Sequence, residues 1–260
     1  MLLITLINGV TAVEKWLFHV KPLENVQYRL FCLPYAGAGA SLFSTWKNLR
    51  EFGIEVCPIQ LPGRENRFNE PSRNNIKSLV SDICTVIADY LDKPFAIFGH
   101  SLGGIIAYEL TLEVYRRYQK KPNFVVLSAS SIFTRKKDYI VSQLSDEKLM
   151  DYLKFIGGTP EILLTSRYFE KYSQVIRSDY KLLENYRFQL QKLPCKLVAL
   201  ASSQDKLVLL EDIEKMKYFA SEFSMISVEG THFFINQLTD EIQQIISENF
   251  DSSNSKKDSL

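Results

Sequence analysis

The chain has 260 residues, with 31 basic and 30 acidic side chains and a formal net charge of +1, so no global field favours nucleic acid or an anionic membrane. No run approaches the roughly 20 apolar residues that a membrane span needs, and the length suits one α/β domain carrying an insertion. The four cysteines, Cys32, Cys57, Cys84 and Cys195, are widely spaced in apolar patterns without metal-ligand spacing, as expected of buried thiols in a reducing, cytoplasmic compartment.

Residues 1–15 read as an N-terminal extension, because the apolar start Met1 to Ile7 is short and lacks the basic flank of an export signal. A strand pattern at 28–33 stops at Pro34 and opens into Tyr35-Ala36-Gly37-Ala38-Gly39-Ala40, small residues whose backbone N–H groups can closely approach another element. Residues 42–52 are expected to be helical, 54–59 a strand and 76–91 a helix. Pro94 precedes the apolar run Phe95-Ala96-Ile97-Phe98, which leads into Gly99-His100-Ser101-Leu102-Gly103-Gly104 and a stretch with helical periodicity. Further strands are expected at 124–127, 196–200 and 224–228. Between 131 and 193 the alternation gives way to helices, at 145–155 and 166–190, separated by Gly157-Gly158-Thr159-Pro160. This insertion reads as a lid over a site or as a packed subdomain. Residues 251–260 read as a disordered polar tail. Alternating strands and helices predict a mostly parallel sheet with helices on both faces.

G-x-S-x-G between strand and helix is a nucleophile motif, because the sharp turn strains the serine backbone, exposes its hydroxyl and requires small flanking residues. Ser101 is therefore the candidate nucleophile, with Gly99 and Gly103 supplying clearance. Of the three histidines, His19 precedes the first sheet strand and His100 leaves the turn in another direction, so His232, in the loop after the last strand, is the candidate base. Asp205 follows the strand before that one and is the candidate orienting acid. Asp179 and Asp212 lie in helical surroundings and fit less well. The order Ser101, Asp205, His232 is that of α/β-hydrolases. The backbone N–H groups of Leu102 and Ala36 are the candidate oxyanion donors. This set would attack a carbonyl through Ser101 and resolve the acyl-enzyme with water, on thioesters or oxygen esters, without a cofactor.

Several separated motifs extend this reading. They are Leu33-Pro34-Tyr35-Ala36-Gly37-Ala38-Gly39, Gln60-Leu61-Pro62-Gly63-Arg64-Glu65-Asn66-Arg67-Phe68, the Ser101 elbow, Gly157-Gly158-Thr159-Pro160, Asp179-Tyr180 with Leu182-Leu183-Glu184-Asn185-Tyr186, and His232-Phe233-Phe234. With these motifs, from about Trp16 to about Phe250, the chain resembles the stand-alone type II thioesterases of nonribosomal peptide and polyketide synthases, an α/β-hydrolase family. The resemblance implies hydrolysis of acyl groups from the phosphopantetheine arm of acyl or peptidyl carrier proteins, removing stalled or misprimed chains, with the family's triad falling on Ser101, Asp205 and His232. Two departures stand out: Ser202 and Ser203 replace glycines common before the acid, and Thr231 replaces a glycine common before the histidine. The Leu61-Pro62-Gly63-Arg64 loop either shapes the entrance or is a structural turn. Asp258-Ser259-Leu260 matches a carrier attachment motif by coincidence, since no carrier domain surrounds it, and the partner is expected in trans. A general esterase or a medium-chain fatty-acyl thioesterase is the competing enzyme, and a non-catalytic carrier-binding protein the competing class. A monomer is expected.

Overall fold

Side-chain alternation along the strands decides how this sheet is covered. In the computed structural model, which describes residues 12–17, 23–133 and 139–255, six strands form one sheet. They are β1 (Tyr28–Leu33), β2 (Ile54–Pro58), β3 (Phe95–His100), β4 (Phe124–Ser128), β5 (Lys196–Ala201) and β6 (Glu222–Ser227). Their order is β2-β1-β3-β4-β5-β6 and every neighbouring pair is parallel. Phe31, Leu33, Ile97, Val125, Leu127 and Leu197 point to one face, where they pack with helices α2 (Ile76–Val86) and α3 (Leu102–Tyr118). Their neighbours Leu30, Cys32, Ala96, Phe98, Val126, Val198 and Leu200 point to the other, against Ile242, Ile246 and Phe250 of a C-terminal helix spanning Thr239–Ser255. Both faces are thus dry, and each fully buried leucine, isoleucine or phenylalanine stabilises the fold by about 1.5–3 kcal/mol.

The remaining helices are α1 (Ala12–Trp16), α4 (Asp146–Ile156), α5 (Ser166–Asn185) and α6 (Leu210–Glu214), with the C-terminal helix numbered α7. Trp16 closes the first face, its ring lying 3.9 Å under the Arg67 guanidinium. Helices α4 and α5 lie in the insertion between β4 and β5 and share a small core of their own, built from Leu149, Tyr152, Leu153, Phe169, Ile176 and Tyr180. Ser145 caps α4 by accepting the Lys148 N–H, and Gly157 ends it with φ +77° and ψ −167°, a backbone conformation open essentially to glycine alone. Among the described residues no helix is long and apolar enough to cross a membrane.

Some boundaries differ from expectation. Residues 42–52 form no α-helix but two 3₁₀ turns, Ala40–Phe43 and Asn48–Phe52. Phe43, Trp46 and Leu49 recur every third residue, the period of a 3₁₀ path, and all three pack on the same core. Helix α5 stops at Asn185, short of residue 190, because Tyr186 turns extended and donates its hydroxyl to Glu109 Oε1 at 2.7 Å. Helix α7 runs to Ser255, so residues 251–255 are helical where a disordered tail was expected. His19, Met1 to Ile7 and Asp258-Ser259-Leu260 lie outside the described residues.

Topology places the site. The chain steps from β1 outward to β2 and then returns to lay β3 on the other side of β1, so the loops leaving β1 and β3 diverge and open a crevice at their carboxyl ends. The Ala36 loop and Ser101 leave from those two strands.

Candidate active site

Ser101 sits at the tip of the β3–α3 turn with φ +55° and ψ −115°, a conformation non-glycine residues rarely adopt. The turn fits only because its flanks lack side chains. A Cβ on Gly99 would come within 2.0 Å of the Gly103 carbonyl oxygen, and one on Gly103 within 2.2 Å of the Leu33 carbonyl oxygen. Hydrogen bonds then hold the strained residue in place. Its N–H donates to Ser128 O at 2.9 Å, and its own carbonyl accepts from Gly104 N at 2.9 Å and from Ser130 Oγ at 2.8 Å.

His232 and Asp205 reach this serine from the loops after β6 and β5. His232 Nε2 lies 2.8 Å from Ser101 Oγ, and its Nδ1 lies 2.8 Å from Asp205 Oδ2. A carboxylate accepts, so Nδ1 carries the imidazole proton and Nε2 is left to accept from the serine hydroxyl. The second Asp205 oxygen accepts the N–H groups of Leu207 at 2.7 Å and Val208 at 3.1 Å, which leaves the carboxylate no freedom to rotate. Both side chains are almost wholly buried.

Leu102 is the first residue of α3, where backbone N–H groups have no partner within the helix. Ala36 lines the same narrow cleft as Ser101, His232, Tyr35 and Phe233, with Leu153, Ile156, Ile176 and Tyr180 of the insertion across from them. The cleft holds about 20 Å³, room for roughly one water molecule. A larger hollow of about 370 Å³ lies at the opposite end of the sheet, among Lys121, Cys195, Lys196 and Asn249, away from Ser101.

Asp179 and Asp212 take no part in this grouping. Asp179 is fully buried against Arg64, and Asp212 on α6 pairs with Lys215 just beyond that helix at 3.0 Å.

A family model described as "Thioesterase domain" matches residues 28–252. The chain belongs to the thioesterase family. It is 33% identical over 234 residues to gramicidin S biosynthesis protein GrsT of Aneurinibacillus migulanus, covering 87% of this chain and 90% of that protein. It is 31% identical over 217 residues to the human medium-chain S-acyl fatty acid synthase thioesterase, covering 80% and 81%. Among solved structures, the type II thioesterase BorB from the borrelidin biosynthetic cluster superposes with a TM-score of 0.81 at 27% identity, covering 90% of this chain and 97% of BorB. The protein is thus a thioester hydrolase of the α/β-hydrolase fold, similar to type II thioesterases.

Three side chains that support the candidate site have no signal in the sequence pattern. His100, completely buried, places Nε2 2.8 Å from the His232 carbonyl and Nδ1 2.9 Å from Ser128 Oγ. A carbonyl can only accept, so Nε2 carries the proton and Ser128 donates to Nδ1. Burial, reinforced by nearby His232, pushes the His100 pKa well below the usual histidine value, which keeps this ring neutral. Ser202, one of the departures from the family pattern, accepts from Gln204 N at 3.1 Å and donates to the Gly230 carbonyl, tying the acid loop to the histidine loop. A glycine there could make neither bond. The third support is Ser130, whose grip on the Ser101 carbonyl has no signal in local sequence.

Proposed function

We propose that this thioesterase hydrolyses acyl groups from the phosphopantetheine arm of carrier proteins, clearing misprimed or stalled chains from a nonribosomal peptide or polyketide synthase in trans. Ser101 acts as nucleophile and His232 as the base that takes its proton, while Asp205 holds the imidazole tautomer and stabilises the imidazolium. The N–H groups of Leu102 and Ala36 receive the developing oxyanion, and water activated by His232 then releases the acid. A thiolate leaves without needing the proton an amine requires, so the arrangement suits thioesters and needs no cofactor. The observation that carries the chemistry is the pair of 2.8 Å contacts linking Ser101 Oγ to His232 and His232 to Asp205. The carrier-bound substrate is supported by similarity to GrsT and BorB across nearly their whole lengths. Four unpaired, buried cysteines support a reducing compartment such as the cytoplasm.

The human relative favours a second reading, release of medium-chain fatty acids from a fatty acid synthase. One assay separates the two: hydrolysis of acetyl and of decanoyl groups, each presented on a carrier domain and as the CoA ester. Faster turnover of the acetylated carrier domain is expected, and preference for decanoyl esters irrespective of the carrier would favour the second reading.

A further inference from the structure

The insertion reaches the loop that follows β1 through one buried carboxylate. Asp179 on α5 is fully buried and receives the Arg64 guanidinium on both oxygens, Nη1 to Oδ2 at 2.6 Å and Nη2 to Oδ1 at 2.7 Å. Its Oδ2 also accepts the Gly37 N–H at 2.7 Å. Arg64 Nη1 in turn donates to the Ala38 carbonyl at 3.1 Å. One ion pair therefore grips the loop that follows β1 at two points, the Ala36–Gly37 peptide through its N–H and the Ala38–Gly39 peptide through its carbonyl. The same face of α5 covers this loop sterically, since a Cβ on Gly37 would meet Ile176 Cδ1 at 2.4 Å and Tyr172 Oη at 2.7 Å. Tyr172, Ile176 and Asp179 follow one another at helical i, i+4, i+7 spacing.

The loop's geometry shows what this grip controls. Ala38 N donates to Tyr35 O at 3.0 Å, closing a four-residue turn, and Gly37 in its third position has φ +84°, the value of a type II turn. Types I and II differ by a flip of the middle peptide, here Ala36–Gly37, so what the Gly37 N–H donates to decides which of them forms. The carboxylate of Asp179 holds that N–H. With the Tyr35 carbonyl tied to Ala38, the Ala36 N–H lies on the opposite side of the same trans peptide and is directed out of the turn. Ala36 lines the cleft beside Ser101.

We propose that Asp179, braced by Arg64, is a positioning residue that fixes the oxyanion loop from the insertion, so that the Ala36 donor is set only while α5 is docked. This rests on the reading of Ser101 and Ala36 given under the proposed function. Ion pairing alone would hold α5 to the body of the protein without setting a donor. The two roles separate in kinetics, because an oxyanion donor acts in the transition state whereas a docking contact acts on stability.

The test compares wild type, Asp179→Asn, the paired apolar variant Arg64→Met/Asp179→Leu and Ser101→Ala. Each is assayed for acetyl release from an acetylated phosphopantetheinyl carrier domain, with active sites counted by end-point labelling with a fluorophosphonate. The paired variant leaves no unpartnered buried charge and so remains informative if Asp179→Asn folds poorly. Both loop variants are expected to lower kcat about 10- to 100-fold, a part of the 10²–10³ that one lost oxyanion donor costs, with KM within about twofold. A trifluoromethyl ketone, whose hydrate-like adduct carries the same oxyanion, should weaken by the same factor. An inactive Ser101→Ala alongside loop variants with unchanged kcat per labelled site, whatever their melting temperature, would overturn the positioning role and leave the serine mechanism standing. A fully active Ser101→Ala would overturn both.

Discussion

Replacing Asp205 by asparagine tests the imidazole tautomer directly, and the structure fixes which way the new amide must point. Asp205 Oδ1 accepts two backbone N–H groups, from Leu207 and Val208, while Oδ2 faces His232 Nδ1. An asparagine whose carbonyl keeps the two backbone donors satisfied turns its NH₂ towards His232. The opposite rotamer would set that NH₂ against two buried N–H groups, at a desolvation cost of about 1–3 kcal/mol for each donor left unpaired. The first orientation therefore wins, and it donates to Nδ1. The imidazole proton must then move to Nε2, where it faces Ser101 Oγ and can no longer accept the serine proton. In serine hydrolases this wrong tautomer lowers kcat by about 10⁴-fold, equivalent to roughly 5.4 kcal/mol of barrier. Steady-state release of acetyl from a carrier domain by the purified variant measures the loss. Activity within tenfold of wild type would refute the orienting role of Asp205, provided the variant's melting temperature shows it folded.

Other perturbations act on the frame around the site. Gly103→Ala would press a methyl group into the Leu33 and Pro34 carbonyl oxygens, at 2.2 and 2.7 Å, and should cost at least about 1–3 kcal/mol of stability in urea unfolding; an unchanged midpoint would show that the elbow has slack. His100 is held neutral by burial, so between its depressed folded-state pKa and about 6.5 the unfolded chain binds a proton that the folded chain does not. Stability should therefore fall as pH drops below about 6.5, by at most about 1.4 kcal/mol per pH unit from this residue, and His100→Gln should flatten the slope; equal slopes for the two proteins would count against it. The cleft beside Ser101 is narrow, and Leu153 and Ile156 of α4 line it, so substrate entry is expected to displace α4 about the Gly157-Gly158 link. Amide exchange in 150–165 should be faster than in β1, β3 and β4, and equal protection would rule out such opening.

What was legible in the sequence is what local chemistry enforces. The Ser101 elbow shows itself through Gly99 and Gly103, because a side chain at either would strike backbone. The grouping of Asp205 and His232 with it follows from chain order, since strands of a parallel sheet deliver their exit loops to one edge. The strands were legible as apolar runs because both faces of the sheet are covered. The contacts that brace the site could not be seen this way. Arg64 and Asp179 are 115 residues apart, and neither carries a local sign that it will be buried. In the sequence Asp179 is a helical aspartate that fits the acid role less well than Asp205, yet its carboxylate ends on the loop after β1. In the sequence His100 is only a neighbour of the candidate nucleophile Ser101, because its bond to the His232 carbonyl depends on how β3 and the last loop meet. Ser202 shows in the sequence only as a departure from glycine, and only the fold brings Gly230 within reach of its hydroxyl.

A covalent intermediate on Ser101 is tested by a single-turnover reaction of enzyme with a carrier domain bearing a radiolabelled acetyl-phosphopantetheine arm, quenched in acid over time and followed by mapping of any label on the protein. With Ser101 as nucleophile, label is expected to pass from the carrier to Ser101 and then to free acetate, and Ser101→Ala is expected neither to acquire label nor to release acetate. Release of acetate by Ser101→Ala at the wild-type rate, or label mapping to a different residue, would contradict that role.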